Sequence, residues 1–307
     1  MQDPRDLYTL SDDQPVAGEL GRPVMLHALG GFVDAGSAGR LASENLLENL
    51  ESRILATFDV DQMYDYRARR PAMTFVQDHW ESYKAPELVL RAVADSDGTP
   101  FLMLTGPEPD MQWERFVAAV QQLVERYDVG LTVGLHSIPM AVPHTRPAGI
   151  TAHATRDGLV ESRPNWVGTV QVPGNAAGLL ELRLGESGRD AAGFAVHVPH
   201  YLTQAEFPDA SVALLEATGE LTGLRLPIGQ LIEAGVKTRA AIAEQIEDQS
   251  DVAAVVQALE QQYDAYMAGQ GQSLPLAESN QELPTADELG AELERFLAEE
   301  NDRRGRE

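Results

Sequence analysis

Four short segments carry the side chains that could do chemistry, and each of them directly follows a predicted buried strand. They supply two carboxylates, Asp34 and Glu108, and two imidazoles, His136 and His200. A carboxylate and a histidine held together can take up and return a proton, as in general acid–base catalysis. In sheets with parallel strands, ligands bind at the edge where the carboxyl ends of the strands meet. We therefore expect these four side chains to gather at that edge around a pocket.

Both carboxylates also have a structural interpretation. Asp34 stands at the start of a predicted helix, where its side chain can accept hydrogen bonds from the free N–H groups of the first turn. Glu108 lies in a loop stiffened by Pro107 and Pro109, ahead of another helix whose dipole favours a negative charge. A phosphate loop is disfavoured, because no Gly-Lys-Ser/Thr sequence is present and an aspartate at the helix start repels an anion. Both roles, helix capping and proton transfer, therefore stay open for Asp34 and Glu108.

The histidine segments are rich in reactive side chains, but neither completes a known motif. His136 and Ser137 are adjacent, and adjacent side chains of a strand point to opposite faces, so they cannot form a nucleophile–base pair unless the chain turns there. The sequence contains no Gly-x-Ser-x-Gly elbow. His197 and His200 have a spacing found among metal ligands, but a third ligand is missing, so we predict no metal.

These segments define the candidate site residues. The candidate catalytic residues are Asp34, Glu108 and His136. The predicted ligand-binding residues are Gly31, Asp34, Glu108, His136, Ser137 and His200. Because no glycine-rich nucleotide loop accompanies them, we predict no cofactor.

The elements that must position these residues alternate between strand and helix. Short, buried apolar runs bounded by glycine or proline predict strands, and apolar residues spaced by three to four predict helices. Predicted strands cover residues 24–29, 53–58, 101–104, 129–135 and 194–198. Predicted helices cover residues 38–50, 113–127 and 211–221. This alternation over residues 23–225 indicates a three-layer α/β/α domain with a mostly parallel sheet.

Three other stretches depart from this pattern. Residues 1–22 are polar and rich in turn residues, and they predict an N-terminal arm over the domain. Residues 59–83 alternate polar and aromatic side chains around a proline and predict an inserted β-ribbon. Its basic residues are Arg67, Arg69 and Arg70. They either solvate an exposed edge or contact the acidic surface of a neighbouring subunit, and we expect the contact, in a dimer or a trimer.

The chain after residue 225 is predicted to be helical. Two apolar stripes between residues 231 and 263 indicate helices that cover the pocket as a lid, within a helical region that extends to residue 300. A glycine-rich linker is expected at residues 269–275, and Thr285 with Glu288 fits a capping box ahead of one more helix. Residues 301–307 are expected to fray.

The composition excludes several classes of function. The chain has 48 acidic and 23 basic residues, and its net charge of −25 repels nucleic acids and anionic membranes. It has no cysteine, which excludes disulfides, thiolate nucleophiles and cysteine-ligated metal sites. Since the sequence shows neither a signal peptide nor an apolar run of about 18 residues, we expect a cytoplasmic protein.

Two short motifs and one longer tract resemble the PAC2 family, whose name refers to proteasome assembly chaperone 2. Residues 31–36 (GFVDAG) look like the segment that opens PAC2 domains, and residues 104–109 (LTGPEP) look like the second signature of the family. The tract 133–146, with its prolines and histidines, resembles the actinobacterial branch, whose function is unassigned. The resemblance covers about residues 20–225.

The resemblance implies a fold similar to that of the phosphorylase/hydrolase group and leaves two functional hypotheses. The first is a homo-oligomeric binding or assembly factor with a small-molecule ligand at the strand ends. The alternative is a hydrolase or phosphorylase-like enzyme with Glu108 or Asp34 as the base and His136 as the proton donor. Eukaryotic members can dock on the proteasome through a hydrophobic–Tyr–x tail, whereas residues 303–307 read RRGRE, so we do not expect proteasome docking.

Overall fold

The computed structural model describes residues 2–15, 18–31, 33–160, 169, 171–247 and 250–268. The linker expected at residues 269–275, the capping box at Thr285 and Glu288, and the tail 301–307 lie outside the described residues.

The described residues form ten strands and six α-helices, together with four short 3-10 helices. The strands are β1 (Tyr8–Leu10), β2 (Val24–Gly30), β3 (Ser52–Phe58), β4 (Met73–Val76), β5 (His79–Tyr83), β6 (Val89–Ala94), β7 (Pro100–Pro107), β8 (Leu131–Met140), β9 (Ile150–Ala154) and β10 (Ala191–Pro199). The helices are α1 (Ala38–Asn49), α2 (Trp113–Arg126), α3 (Ala176–Glu186), α4 (Pro208–Thr222), α5 (Gly229–Glu247) and α6 (Ser250–Ala268).

One sheet organises the molecule. Within the described residues it has eight strands in the order β1-β3-β6-β7-β2-β8-β10-β9. The four neighbours β7, β2, β8 and β10 are parallel to each other, and the strands on either side of this group pair antiparallel. The parallel group therefore brings the carboxyl ends of β2, β7, β8 and β10 to one edge, as a ligand-binding edge requires.

Helices cover both faces of the sheet and bury two apolar layers. Side chains of α2 and α3 pack on one face, and side chains of α1 and α4 pack on the other. Because strand side chains alternate between faces, Met25 joins the first layer and Leu26 the second. All nine residues of β10 are buried, which is typical of a strand covered on both faces. The predicted three-layer α/β fold is confirmed.

The strand that carries His136 and Ser137 is longer than predicted. The sequence predicted a strand that ends at residue 135 and a loop after it, but β8 continues to Met140 and includes both residues. β8 pairs with β2 up to Gly134 and forms one more parallel bridge, between Ser137 and Asp34, whereas its pairing with β10 continues to Met140. Pro139 is the second-to-last residue of β8, near the strand end, where a proline interrupts few ladder hydrogen bonds.

The peripheral segments differ in how far they follow the predictions. Residues 8–10, expected to belong to an arm, form the edge strand β1 against β3, while β4 and β5 form the predicted ribbon as a separate two-stranded sheet. The sequence analysis missed β6, β9 and α3. Helices α5 and α6 follow the domain as predicted, and no helix in the described ranges is both long enough and apolar enough to span a membrane.

Candidate functional site

A crevice of about 620 Å³ opens at the ends of β2 and β7, beside the part of β8 that follows its pairing with β2. Asp34 and His136 line it, together with the charged side chains of Arg40, Arg69 and Lys84. The other lining residues are Ala28, Leu29, Gly30, Val33, Gly39, Ser43, Glu44, Leu47, Tyr64, Thr105, Gly106, Pro107 and Leu135. The sequence did not predict that α1, Tyr64 and Lys84 line the crevice, because their positions there depend on how the layers pack.

Asp34 accepts three hydrogen bonds from groups of the fold itself. Its Oδ1 accepts the N–H of Gly39 at 2.8 Å and its Oδ2 accepts the N–H of Arg40 at 3.0 Å, both in the first turn of α1. Ser137 Oγ donates to Oδ1 at 2.8 Å. The side chain therefore joins the start of α1 to β8, and both of its oxygens have donors.

Glu108 does not line the crevice and contacts α3. Its Oε1 accepts the N–H of Ala176, the first residue of α3, at 2.5 Å, and the residue is 9% exposed. A Cβ on Gly31 would lie 2.0 Å from Glu108 Oε2, so only glycine leaves room for this carboxylate. Gly31 and Glu108 therefore pack against each other. The sequence predicted both of them as ligand-binding residues.

His136 belongs to a group of three imidazoles, here called the histidine cluster, with His27 and His153. The ring centroids of His27 and His136 are 5.8 Å apart, and those of His136 and His153 are 6.2 Å apart. His153 Nδ1 lies 2.8 Å from Glu181 Oε1 of α3. No sequence pattern identifies this cluster, because it depends on the register between neighbouring strands.

Burial in this cluster keeps two of the imidazoles neutral. It lowers the pKa of His27 to about 3, with repulsion from His136 and His153 adding to the effect. It lowers the pKa of His136 to about 4, with repulsion from His153 as the next cause. A histidine that is neutral near pH 7 is a poor proton donor. Burial thus disfavours the protonated form of His136 that the enzyme hypothesis uses as proton donor.

Ser137 and His200 do not line the crevice. Ser137 is 1% exposed and donates to Asp34, on the face of β8 opposite to His136. His200 is exposed at the start of a 3-10 helix after β10, and its ring contacts Tyr201. His197 is buried with Nε2 2.9 Å from Thr151 Oγ1. Among the described residues, no three His, Asp or Glu side chains are placed to hold a metal ion.

The three arginines of the predicted subunit contact differ in their surroundings. Arg69 donates to the carbonyl of Glu108 at 2.5 Å and to Asp110 at 2.6 Å, and its guanidinium lies 4.4 Å from the ring centre of Tyr64. Arg67 and Arg70 are exposed. All three lie in the segment before β4 and not in the ribbon strands.

Helices α5 and α6 lie on α4 and on the loop between β8 and β9. In α6, Asp264 pairs with Arg146 of that loop at 2.7 Å, and Tyr263 donates to the carbonyl of Pro147 at 3.2 Å. None of the described residues of these two helices lines the crevice. That α5 and α6 cover the pocket as a lid stays a prediction.

Comparison with known proteins identifies relatives over most of the chain. The model of the PAC2 family matches residues 28–246. The Mycobacterium tuberculosis protein of unknown function Rv2714 is 48% identical with a TM-score of 0.82, covering 86% of this chain and 91% of that chain. A Corynebacterium glutamicum protein of unknown function is 38% identical with a TM-score of 0.82, covering 86% of this chain and 99% of that one.

A further structural neighbour shares the fold alone. It is the M. tuberculosis proteasome-assembly chaperone homologue Rv2125, 23% identical with a TM-score of 0.70, which covers 76% of this chain and 99% of that one. No curated protein matches this chain significantly.

Proposed function

Because this chain belongs to the PAC2 family, we propose that it is a homo-oligomeric ligand-binding or assembly factor and not a catalyst. The ribbon joins its copies, and the crevice takes a small polar ligand. The cytoplasmic location expected from the sequence is part of this proposal.

The observation that carries the proposal is the apolar surface of the ribbon. Met73, Phe75, Trp80 and Tyr83 are 50%, 54%, 63% and 49% exposed, and the rings of Phe75 and Trp80 touch at 5.0 Å between centroids. A lone two-stranded ribbon is marginally stable in water, and contiguous exposed apolar side chains mark interaction surfaces. Since most soluble oligomers are built from identical chains, a second copy is the occupant we propose.

The crevice supports the ligand-binding part of the proposal. Arg40 pairs with Glu44 at 2.6 Å, and Arg69 pairs with Asp110 at 2.6 Å, so these cations are already partly neutralised. Lys84 is exposed at the crevice, and backbone groups of Gly30 and Gly106 line it. A small polar ligand, bound by a few charged side chains and by backbone groups, fits such a lining.

Nothing in the described residues favours the enzyme alternative. Asp34 and Glu108 accept backbone N–H groups, and only Asp34 lines the crevice with His136. The name of the neighbour Rv2125 points to protein assembly as a use for the oligomer. That neighbour shares only the fold at 23% identity, so the proposal depends on the ribbon.

Light scattering tests the self-assembly. The double variant Phe75→Ser/Trp80→Ser is expected to fall towards the mass of a single 33.4 kDa chain. Ile54→Ser is the matched control, because Ile54 is 44% exposed on β3, away from the ribbon. An unchanged mass in the ribbon variant would overturn the proposal. Arg67→Ala/Arg70→Ala tests the predicted basic contact separately, and a lower mass there assigns the two arginines to the interface.

A thermal-shift screen with nucleosides, peptides and inorganic phosphate tests the crevice. A ligand that binds the folded state raises the melting temperature. We expect at least one class to stabilise the protein and Lys84→Glu, an exposed substitution, to reduce that effect. Stabilisation by none of the classes contradicts a small-molecule site, whatever the oligomeric state.

A further inference from the structure

Two basic side chains at the crevice, Lys84 and Arg91, are here called the cation pair. Lys84 is exposed and lines the crevice. Arg91 of β6 is half-buried, and its Nη1 donates at 3.2 Å to Oγ1 of Thr105, which also lines the crevice. Neither cation forms an ion pair with a carboxylate of the described residues. Because charges that leave water are normally paired, this arrangement favours an anion that comes from outside the chain.

The register of the sheet brings Arg91 to the crevice. Val89 pairs with Thr105 and Arg91 pairs with Met103, so Arg91 and Thr105 are diagonal neighbours on one face of the sheet. A long side chain spans such a diagonal. Ile54 of β3, which pairs with Arg91 on the other side, is 44% exposed, so solvent reaches this face of the sheet beside Arg91. A dissolved ligand therefore has access to the guanidinium group.

The other charged side chains of the crevice already have partners. Arg40 pairs with Glu44 at 2.6 Å, and Arg69 pairs with Asp110 at 2.6 Å. Asp34 accepts two N–H groups at the start of α1. Three of the lining side chains are basic and two are acidic, whereas the whole chain has 23 basic and 48 acidic residues. The crevice therefore reverses the charge balance of the chain, and the cation pair is the part of it that stays without opposite charge.

We propose that the crevice binds a phosphate monoester and that the cation pair holds its phosphate group, an inference that rests on the ligand-binding role proposed above. Two cations match the charge of about −1.5 to −2 that such a phosphate carries at pH 7. The guanidinium of Arg91 binds two phosphate oxygens side by side, and the ammonium of Lys84 supplies a point charge. The hydroxyl of Thr105 accepts from Arg91 and donates its own proton to a further phosphate oxygen.

The remaining space of the crevice suits the organic part of such a ligand. Its volume of about 620 Å³ exceeds that of a phosphate group and lies within the usual range for sites of small organic molecules. Ala28, Leu47 and Leu135 add apolar surface to the lining. This site differs from a phosphate loop, because Asp34 occupies the start of α1 and the phosphate is held by side chains of other elements.

Isothermal titration calorimetry with matched compounds tests the phosphate group. The probes are ribose 5-phosphate, glycerol 3-phosphate and adenosine monophosphate, each compared at equal ionic strength with the parent compound that lacks the phosphate. At least one ester should bind about tenfold or more tightly than its parent, as expected for hydrogen bonds between charged groups. If no ester binds more tightly than its parent, the phosphate inference is wrong. The ligand-binding role itself is then decided by the wider thermal-shift screen, so the two failures are distinguishable.

Variants of the cation pair locate the phosphate. Lys84→Gln and Arg91→Gln should each weaken the binding of the ester about tenfold or more, because each removes one charged hydrogen-bond donor. Lys237→Gln, which alters an exposed lysine of α5 outside the crevice, is the control and should bind like the wild type. Wild-type affinity in both crevice variants would place the phosphate elsewhere and overturn the inference. If Arg91→Gln does not fold, Lys84→Gln decides, because Lys84 is exposed.

The composition of the chain allows a second test on the unaltered protein. Lys84 and Lys237 are its only lysines, so mass spectrometry after brief treatment with acetic anhydride compares a crevice amine with a reference amine in one sample. The bound ester should slow the acetylation of Lys84 and leave that of Lys237 unchanged, whereas the parent compound should protect Lys84 less. If a saturating ester protects neither lysine, or both equally, Lys84 does not hold the phosphate and the inference fails.

Discussion

At the scale of single residues, the partners of Asp34 and Glu108 determine what these carboxylates do. Asp34 accepts N–H groups of the helix that follows it, and a local capping pattern predicted this partner. Glu108 accepts the N–H of Ala176, which is 68 residues away. No local pattern specifies that contact, so the sequence could not predict that Glu108 binds the start of α3.

Replacing Glu108 with alanine should lower the free energy of unfolding by about 1–3 kcal/mol, because the N–H of Ala176 loses its acceptor inside the protein. Glu108→Gln keeps an oxygen at this position and should cost less. Urea unfolding measures both variants. Glu51→Ala removes an exposed carboxylate and serves as the control, expected within about 0.5 kcal/mol of the wild type. If Glu108→Ala and Glu51→Ala unfold alike, the contact with α3 has no energetic weight.

At the scale of elements, apolar patterns predicted the central strands and failed where a neighbour decides the structure. Strand β10 is buried on both faces and has a continuous apolar sequence, so a strand was correctly predicted there. The end of β8 was missed because Pro139 normally breaks a strand, whereas the pairing of β8 with β10 continues to Met140. Helix α3 has a weak apolar stripe, and its position depends on packing against β10 and α2.

The loops after β2 and β7 are coupled through Gly31 and Glu108. Gly31→Ala forces the side chain of Glu108 out of its place, since the added Cβ would lie 2.0 Å from Oε2 and 2.8 Å from Cβ. We expect a loss of about 1–3 kcal/mol in the wild type. In the Glu108→Ala background the same substitution should cost less, with a coupling of about 0.5–3 kcal/mol. Urea unfolding of the four chains in this cycle measures it, and additive losses would contradict the contact.

At the scale of the whole molecule, composition and the order of elements predicted the three-layer fold and the ribbon. The histidine cluster depends instead on the register between strands. A shift of one residue between β2 and β8 would turn His27 away from Gly134 and dissolve the histidine cluster. The sequence has no local signal for that register. This explains why three of the residues around His136, namely His27, His153 and Glu181, were not predicted.

The buried histidines predict how stability depends on pH. Burial lowers the pKa of His27 to about 3 and the pKa values of His136 and His197 to about 4, against an ordinary value of 6.5. Between these values the unfolded chain binds more protons than the folded chain. Their contribution to stability is therefore complete above pH 6.5 and is lost as the pH falls towards 4, by about 2 kcal/mol per histidine at pH 5.

Carboxylates should not disturb this window. Asp190, for example, has a pKa lowered below 3.8 by its hydrogen bond with Arg156, so its contribution is lost only at lower pH. Acidification also relaxes the self-repulsion of a chain with a net charge of −25, which acts in the opposite direction, and salt at about 0.2 M reduces that effect.

Urea unfolding between pH 7.5 and 5 should therefore show stability that falls with pH. His27→Leu removes one of the titrating groups and should have a smaller slope than the wild type. Met25→Leu is the matched control, because it changes a buried neighbour on the same face of β2 without removing a titrating group. If wild-type stability is constant over this range, the buried imidazoles are not held neutral by the fold.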